Sequence, residues 1–383
     1  MLILVANCGS SSAKYELLNV EKETVLARGV VERIGTNLSS IKHEVKSKDI
    51  FWKRKMNCPD HHRAIELIRD IITDPEEGVI ASVSEVMGVG HRVVHGGEKF
   101  HESTLLDEEV IKGIAAVSDL APLHNPPALE GIKGCMNIFD KVPQVAVFDT
   151  AFHHSIPEYA YFYGIPYDFY TRYGIRKYGF HGTSHRYVSM KAAEILNKPL
   201  SSVNLITAHL GNGCSICAVQ GGKSIETSMG FTPLDGLLMG TRCGEMDPAV
   251  VTFLMQHEDM SVDEVNAIMN KRSGLLGVSG VSNDMRDIMK AMYEGNVQAK
   301  LAYDMFIYRL KKYVGSYAAV LGGHVDAVVF TAGIGENVPD IKDQVERDLK
   351  PLLNGGTKFL MIHTNEELLI AQDTYKIISA LNK

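Results

Sequence analysis

An α/β protein of two mutually similar domains is the fold class the sequence predicts, and three observations carry it. Short runs rich in Val and Ile, as in VPQVAVFDTAF, VNLITAHLGNGCSICAV and DAVVFTAGIGEN, alternate with helically spaced stretches such as LAYDMFIYRLKKYVGSYAAVL. At 383 residues the chain is long for one hydrophobic core, and ordinary domain sizes divide it into two or three. Finally, VANCGSSSAKYEL lies over TAHLGNGCSICAV without a gap, setting Ala6 against Ala208, Gly9 against Gly211 and Ser10 against Asn212. Each is an apolar strand, a Gly-polar turn and a second apolar strand; VAVFDTAF and AVVFTAGIG repeat the pattern in the same order. Such a duplication sets two domains face to face, each offering a small-residue turn to a common cleft. No linker-like segment separates them, so the boundary is expected near residue 150.

Composition narrows the class. Hydrophobic residues at 45% with 22% charged are ordinary for a soluble globular enzyme, and a net charge of -7 argues against a general binder of nucleic acid or anionic membrane. Any anionic ligand must then be held by local cations. ILVA lacks the flanks of a signal peptide and reads as a buried strand, and no stretch approaches a membrane span. The six cysteines, Cys8, Cys58, Cys135, Cys214, Cys217 and Cys243, are scattered as reduced thiols would be in a cytoplasm. Cys214 and Cys217 form a C-x-x-C with no second pair, on a strand-like run that points them to opposite faces, which disfavours a metal or redox role.

The motifs follow in chain order. NCGSSSAKY is either plain hairpin chemistry or a turn whose small residues admit a phosphate close to the backbone, with Lys14 donating. Arg92, mid-strand in GHRVVHGGEKF, is a structural ion pair or, together with Arg242 in the glycine-bounded MGTRCG, one of two planar forks on an anion. Asp149 ends the strand VFDTAF, where α/β proteins place catalytic groups, although a helix cap is equally open. In YGFHGTSHRYV, His181 and His185 have the spacing of two zinc ligands on one helix face. Gly182 and the Thr-Ser pair argue against a helix continuous through His181 and for Thr183 or Ser184 capping one, with His181 projecting from the loop. TAGIGEN is a glycine turn at a strand-to-helix junction, where free amides suit an anion. It is neither a dinucleotide fingerprint nor a P-loop.

Together these motifs closely resemble the acetate kinase family over nearly the whole chain. NCGSSSAKY, GHRVVHGGEKF, LAPLHNPP, VFDTAFH, KYGFHGTSH, HLGNG, ETSMGFTPLDGL, MGTRCG, SNDMRD, VFTAGIGEN and TNEEL occur in the family's order. The resemblance implies duplicated actin-like (ribonuclease H-like) domains with a cleft between them, residues 1–150 plus 368–383 forming the first and 151–367 the second. It implies reversible phosphoryl transfer between ATP and acetate, with Mg2+ as cofactor and Mn2+ as its substitute, in a cytoplasmic homodimer. Asn7 and Glu366 would be metal-associated and Lys14 part of the nucleotide-phosphate site. Arg92 would hold the carboxylate, with Val94, Leu123, Phe180 and Pro233 around the methyl group. Asp149, His181, Arg242 and Arg92 would be the catalytic set, Asp149 orienting rather than abstracting a proton. His209, Leu210, Gly211, Asn212, Gly213, Asp284, Met285, Arg286, Gly333, Ile334, Gly335, Glu336 and Asn337 would bind ATP.

The chain departs from the family pattern in three places. Ala13 and Ala128 replace other residues usual there, which points to altered packing. The stretch LKPLLNGGTKF at residues 349–359 is shorter than the family's usual connection, which bears on where Glu366 sits. Rival readings are a propionate kinase, an actin-like or chaperone-like ATP-binding module that would not need Arg92, Asp149, His181 and Arg242 together, and a pyrophosphate-linked relative disfavoured by TAGIGEN and SNDMRD.

Overall fold

The apolar run at residues 3–6 is buried in the middle of β1 (Leu2–Gly9), as a strand covered on both faces requires. Ser10 and Ser11 turn the chain into β2 (Ser12–Asn19), which pairs antiparallel with β1 so that Lys14 lies opposite Asn7. The meander continues through β3 (Thr24–Glu32), β4 (Ser40–Val45) and β5 (Ile50–Lys55). On the other side of β1, β6 (Val86–Val93) and β8 (Gln144–Phe148) add in parallel, with β7 (Thr104–Leu105) at the edge. The sheet order is β5-β4-β3-β2-β1-β6-β8-β7. The structure is a computed structural model that describes residues 1–353 and 355–381.

A second sheet is built from β9 (Asn204–Leu210), β10 (Cys214–Gln220), β11 (Lys223–Thr227), β12 (Ala327–Thr331) and β13 (Lys358–Met361), in the order β11-β10-β9-β12-β13. Its first two pairings are antiparallel and its last two parallel, which matches β3-β2-β1-β6-β8 strand for strand. The fold is therefore the duplicated ribonuclease H-like α/β class expected from the sequence.

The repeat itself needs two corrections. β1 and β2 are joined through two residues, whereas β9 and β10 are joined through three, residues 211–213, so the hairpins do not superpose without a gap. VAVF forms β8, whose counterpart in the second sheet is β13; the counterpart of AVVF in β12 is β6. Buried parallel strands are uniformly apolar, so any two of them look alike in sequence.

Packing divides the chain into Met1–Ala151 with Asn365–Lys383, and Phe152–Thr364. The return to the first unit begins at Asn365, three residues before the expected 368, which keeps the helix Glu366–Leu381 whole within that unit. That helix seats a stripe of Ile370, Thr374 and Ile378 on β6. A Cβ at Gly88 would lie 2.2 Å from Ile378 Cδ1, and one at Gly90 would lie 2.5 Å from Thr374 Oγ1. The two glycines share one sheet face with Arg92, and the helical stripe continues back to Glu366. Of the shortened stretch 349–359, Asn354 lies outside the described residues; residues 358–359 begin β13.

Candidate active site

In the first unit, alternation along β6 places Arg92 on the face covered by the helix Glu366–Leu381, and parallel pairing with β8 carries the chain to Asp149 one strand away. Arg92 Nε donates to Asp149 Oδ1 at 3.1 Å and Nη2 to Oδ2 at 2.7 Å, a bidentate fork. Asp149 is only 1% exposed, and its carboxylate serves Arg92 rather than capping the following turn. Glu366 Oε2 lies 3.8 Å from Arg92 Nε. Burial works against the Arg92 charge, but Asp149 and Glu366 more than offset it and hold the guanidinium above its ordinary pKa. Glu366 is pushed up to about 7, first by burial and then by Asp149 and Glu367, with Arg92 opposing.

Asn7 and Lys14 line a cavity of about 290 Å³ in this unit together with Glu16, Arg28 and Glu367, and Lys14 is among the charges acting on Glu366. The amide and carboxylate oxygens of Asn7, Asp149 and Glu366 are hard donors, and Arg92 alone does not balance the acidic charge. That chemistry suits a hard divalent cation, which binds through carboxylates and completes its shell from water and phosphate. Val94 is half-buried and Leu123 exposed. The carboxamide of Asn125 pins the turn beside Val94 by accepting from His95 N–H at 3.1 Å and donating to His95 O at 2.9 Å.

In the second unit, three segments expected to bind ATP meet. Gly211, Asn212, Asp284, Met285, Arg286, Gly333, Ile334 and Asn337 line one cavity of about 280 Å³, joined by Asn283 and Val338. Asn283 Nδ2 donates to Asn212 Oδ1 at 3.0 Å, tying two of the segments together. His209, Leu210, Gly213, Gly335 and Glu336 do not line it. Leu210 is fully buried in β9. Glu336 braces the turn, its carboxylate accepting from Ala332 N–H at 2.7 Å and Thr364 N–H at 2.9 Å.

His181 occupies the left-handed region (φ 56°) immediately before the helix Gly182–Leu196, and neither Thr183 nor Ser184 caps that helix as the sequence suggested. The residue before it, Phe180, is 1% exposed, with its carbonyl accepting from His153 Nε2 at 3.0 Å. The His181 ring stacks on His209 at 4.1 Å, and its Nδ1 lies 2.8 Å from Ser215 Oγ. A Cβ at Gly213 would lie 3.3 Å from Arg242 Nη1 and 3.5 Å from His181 Nε2, so this side-chain-free residue separates the two groups. Arg242 Nη1 donates to Pro233 O at 3.1 Å. Burial pulls the Arg242 pKa below its ordinary value, and among the described residues no carboxylate pairs with it. Ser215 was missed in the sequence because its role depends on which face of β10 it occupies.

Two ribonuclease H-like sheets, with a carboxylate-held arginine on one unit and glycine turns beside an arginine without a described carboxylate partner on the other, suit a phosphotransferase. Residues 2–356 match the model of the acetokinase family, and the chain belongs to that family. It is 51% identical to an acetate kinase of Halothermothrix orenii over 99% of this chain and all of that one, and 51% identical to one of Thermoanaerobacter pseudethanolicus over both full lengths. Among solved structures it resembles an acetate kinase of Porphyromonas gingivalis (TM-score 0.93, 43% identity, covering 98% of this chain and 99% of that one). A propionate kinase of Francisella tularensis is also similar (TM-score 0.91, 41% identity, 98% and 99% covered).

Proposed function

We propose that this chain catalyses reversible, direct transfer of the terminal phosphoryl group of ATP to acetate, giving acetyl phosphate and ADP. The observation that carries the reading is Arg242, a half-buried guanidinium without a carboxylate partner among the described residues, beside the turn that borders the nucleotide-segment cavity. Removing a cation from water without a counter-ion is costly, and a phosphoryl group supplies that counter-ion. Charge in the transfer spreads over three equatorial oxygens, so catalysis is mainly positioning and electrostatic stabilisation, the roles assigned to Arg242 and His181.

On the first unit, two Arg92 nitrogens are engaged by Asp149, while Nη1 has no protein partner among the described residues. That edge is assigned to the acetate carboxylate. Acetate is already ionised at neutral pH, so Asp149 holds the fork in place and need not take a proton. Asn7 and Glu366, with Asp149 nearby, would hold Mg2+, which neutralises phosphate charge when bound. Lys14 adds a cation beside them. Val94 and Leu123 on the first unit are assigned to the substrate's methyl side. The first unit is the acceptor domain and the second the nucleotide domain.

The same reading makes the protein a cytoplasmic homodimer. Six free cysteines suit a reducing compartment, and the exposed Phe253 and Val250 on the helix Ala249–His257 offer apolar area to a partner copy. No described helix is long and apolar enough to cross a membrane.

Purified protein with ATP, Mg2+ and acetate should form hydroxylamine-trappable acetyl phosphate. Arg242→Ala should lower turnover by about 10² to 10³ while ATP binding is nearly kept; an active Arg242→Ala enzyme refutes the assignment. Likeness to the Francisella propionate kinase favours one second reading, a longer acid as substrate. One methylene is worth only ~1 to 3 kcal/mol in an apolar site, so propionate and butyrate belong in the same assay.

A further inference from the structure

Behind His181 runs a chain of three fully buried groups on the second unit. His181 Nδ1 lies 2.8 Å from Ser215 Oγ, the same oxygen lies 2.8 Å from His185 Nε2, and His185 Nδ1 lies 2.7 Å from Thr207 Oγ1. Thr207, His185 and Ser215 are each 0% exposed. We propose that Thr207, His185 and Ser215 order the protons of this chain so that His181 is held as the neutral Nε2–H tautomer, a hydrogen-bond donor toward the phosphoryl group. The proposal rests on the reading of His181 given above.

The ordering follows from counting protons. His185 is neutral, because burial, and then the neighbouring His153 and His209, keep its pKa well below the ordinary histidine value. A neutral imidazole has one N–H and one lone pair. Among the described residues, Thr207 Oγ1 has His185 Nδ1 as its one polar side-chain partner. If His185 carried its proton on Nδ1, Thr207 would accept it and its own hydroxyl hydrogen would be buried without an acceptor. That loss biases the equilibrium roughly tenfold to a hundredfold toward the other arrangement.

Thr207 therefore donates to His185 Nδ1, and His185 Nε2–H donates to Ser215 Oγ. Ser215 has a single hydrogen, which then goes to His181 Nδ1. The ring proton of His181 is left on Nε2, the nitrogen that faces Gly213 beside Arg242. In the opposite order Nε2 would present a lone pair to phosphate oxygen, a repulsive contact. Ser215, His185 and Thr207 are thus positioning residues that act through His181.

The direct test is the pattern of long-range ¹⁵N–¹H couplings in the full chain labelled with ¹⁵N-histidine, with His181 assigned by comparison with His181→Gln. Nε2 should be protonated and Nδ1 bare on both His181 and His185. Thr207→Val should bring in the second tautomer on both rings and lower kcat about tenfold with KM for ATP unchanged, while Thr207→Ser should restore both readouts. A proton on Nδ1 of His181 in the parent protein overturns the proposal whatever the activity, and needs no variant to fold. A tautomer shift in Thr207→Val without any change in acetyl phosphate formation leaves the proton chain standing and overturns the role assigned to His181.

Discussion

Gly90→Ala tests whether the packing of the last helix onto β6 is what holds Glu366 beside Arg92. The new Cβ would stand 2.5 Å from Thr374 Oγ1 and 2.7 Å from Ile370 Cγ2, where ordinary contacts need about 3.5 Å. Neither neighbour can turn away cheaply. Thr374 Oγ1 donates to Ile370 O at 2.7 Å, and both side chains are β-branched. The helix must give by most of an ångström, at the 1 to 3 kcal/mol typical of overpacking, roughly. Replacing a strand glycine returns about 0.5 to 1 kcal/mol, leaving a net loss of roughly 0 to 2.5 kcal/mol. The same shift moves Glu366 from its 3.8 Å approach to Arg92, so the Mg2+ concentration needed for half-maximal acetyl phosphate formation should rise. Urea unfolding and Mg2+ titration of the purified variant measure the two effects. Thr374→Ala in the same background removes the nearer clash and should couple favourably by about 1 kcal/mol in a double-mutant cycle. A Gly90→Ala protein as stable as the parent, with unchanged Mg2+ dependence, would refute the reasoning.

Gly213→Ala should reduce kcat at least tenfold while nucleotide binding is largely retained, since the added methyl would sit 3.3 Å from Arg242 Nη1 and 3.5 Å from His181 Nε2; wild-type turnover would show that the phosphoryl group does not pass there. Glu16 is pushed up to about 7 by burial and then Glu367, with Arg28 opposing and Glu44 adding, so its contribution to stability is present below about 4.5 and lost as the pH rises through about 7. Glu16→Gln should accordingly gain stability over the parent at pH 8.5 and not at pH 4.5, and urea midpoints that keep the same offset at both pH values would exclude a half-buried carboxylate with a raised pKa.

What the sequence disclosed was mostly local. The glycine turns and the Val-rich runs could be read because a strand, a turn and a helix start are each written within a few neighbouring residues. The second repeat was mispaired because β8 and β12 are both buried and apolar, and only strand order distinguishes them. Asp149 stayed undecided between a cap and a catalytic group because its partner Arg92 is 57 residues away. Glu336 sits in a glycine turn that does line the nucleotide cavity, yet its Oε1 is taken by two backbone amides and its Oε2 by His363. Position in a motif located the segment; hydrogen bonding decided which of its side chains are available to a ligand.

The duplicated hairpins show how one local design came to carry two chemistries. In the first, a two-residue turn keeps the strands in register to their ends, and the useful groups, Asn7 and Lys14, face each other across the ladder. In the second, one extra residue opens the turn into Gly211, Asn212 and Gly213, where two of the three residues carry no side chain and the Asn212 carboxamide is held by Asn283. The cation and donor that a side-chain ladder would supply must then come from elsewhere, and on the proposed reading they do, the charge from Arg242 and an N–H from a neutral histidine held in a left-handed conformation. On the proposed reading, a loop that admits a phosphate through its backbone depends on its supports more than on itself. That is why the proton order of Ser215, His185 and Thr207, none of which need touch a substrate, is expected to be felt in turnover.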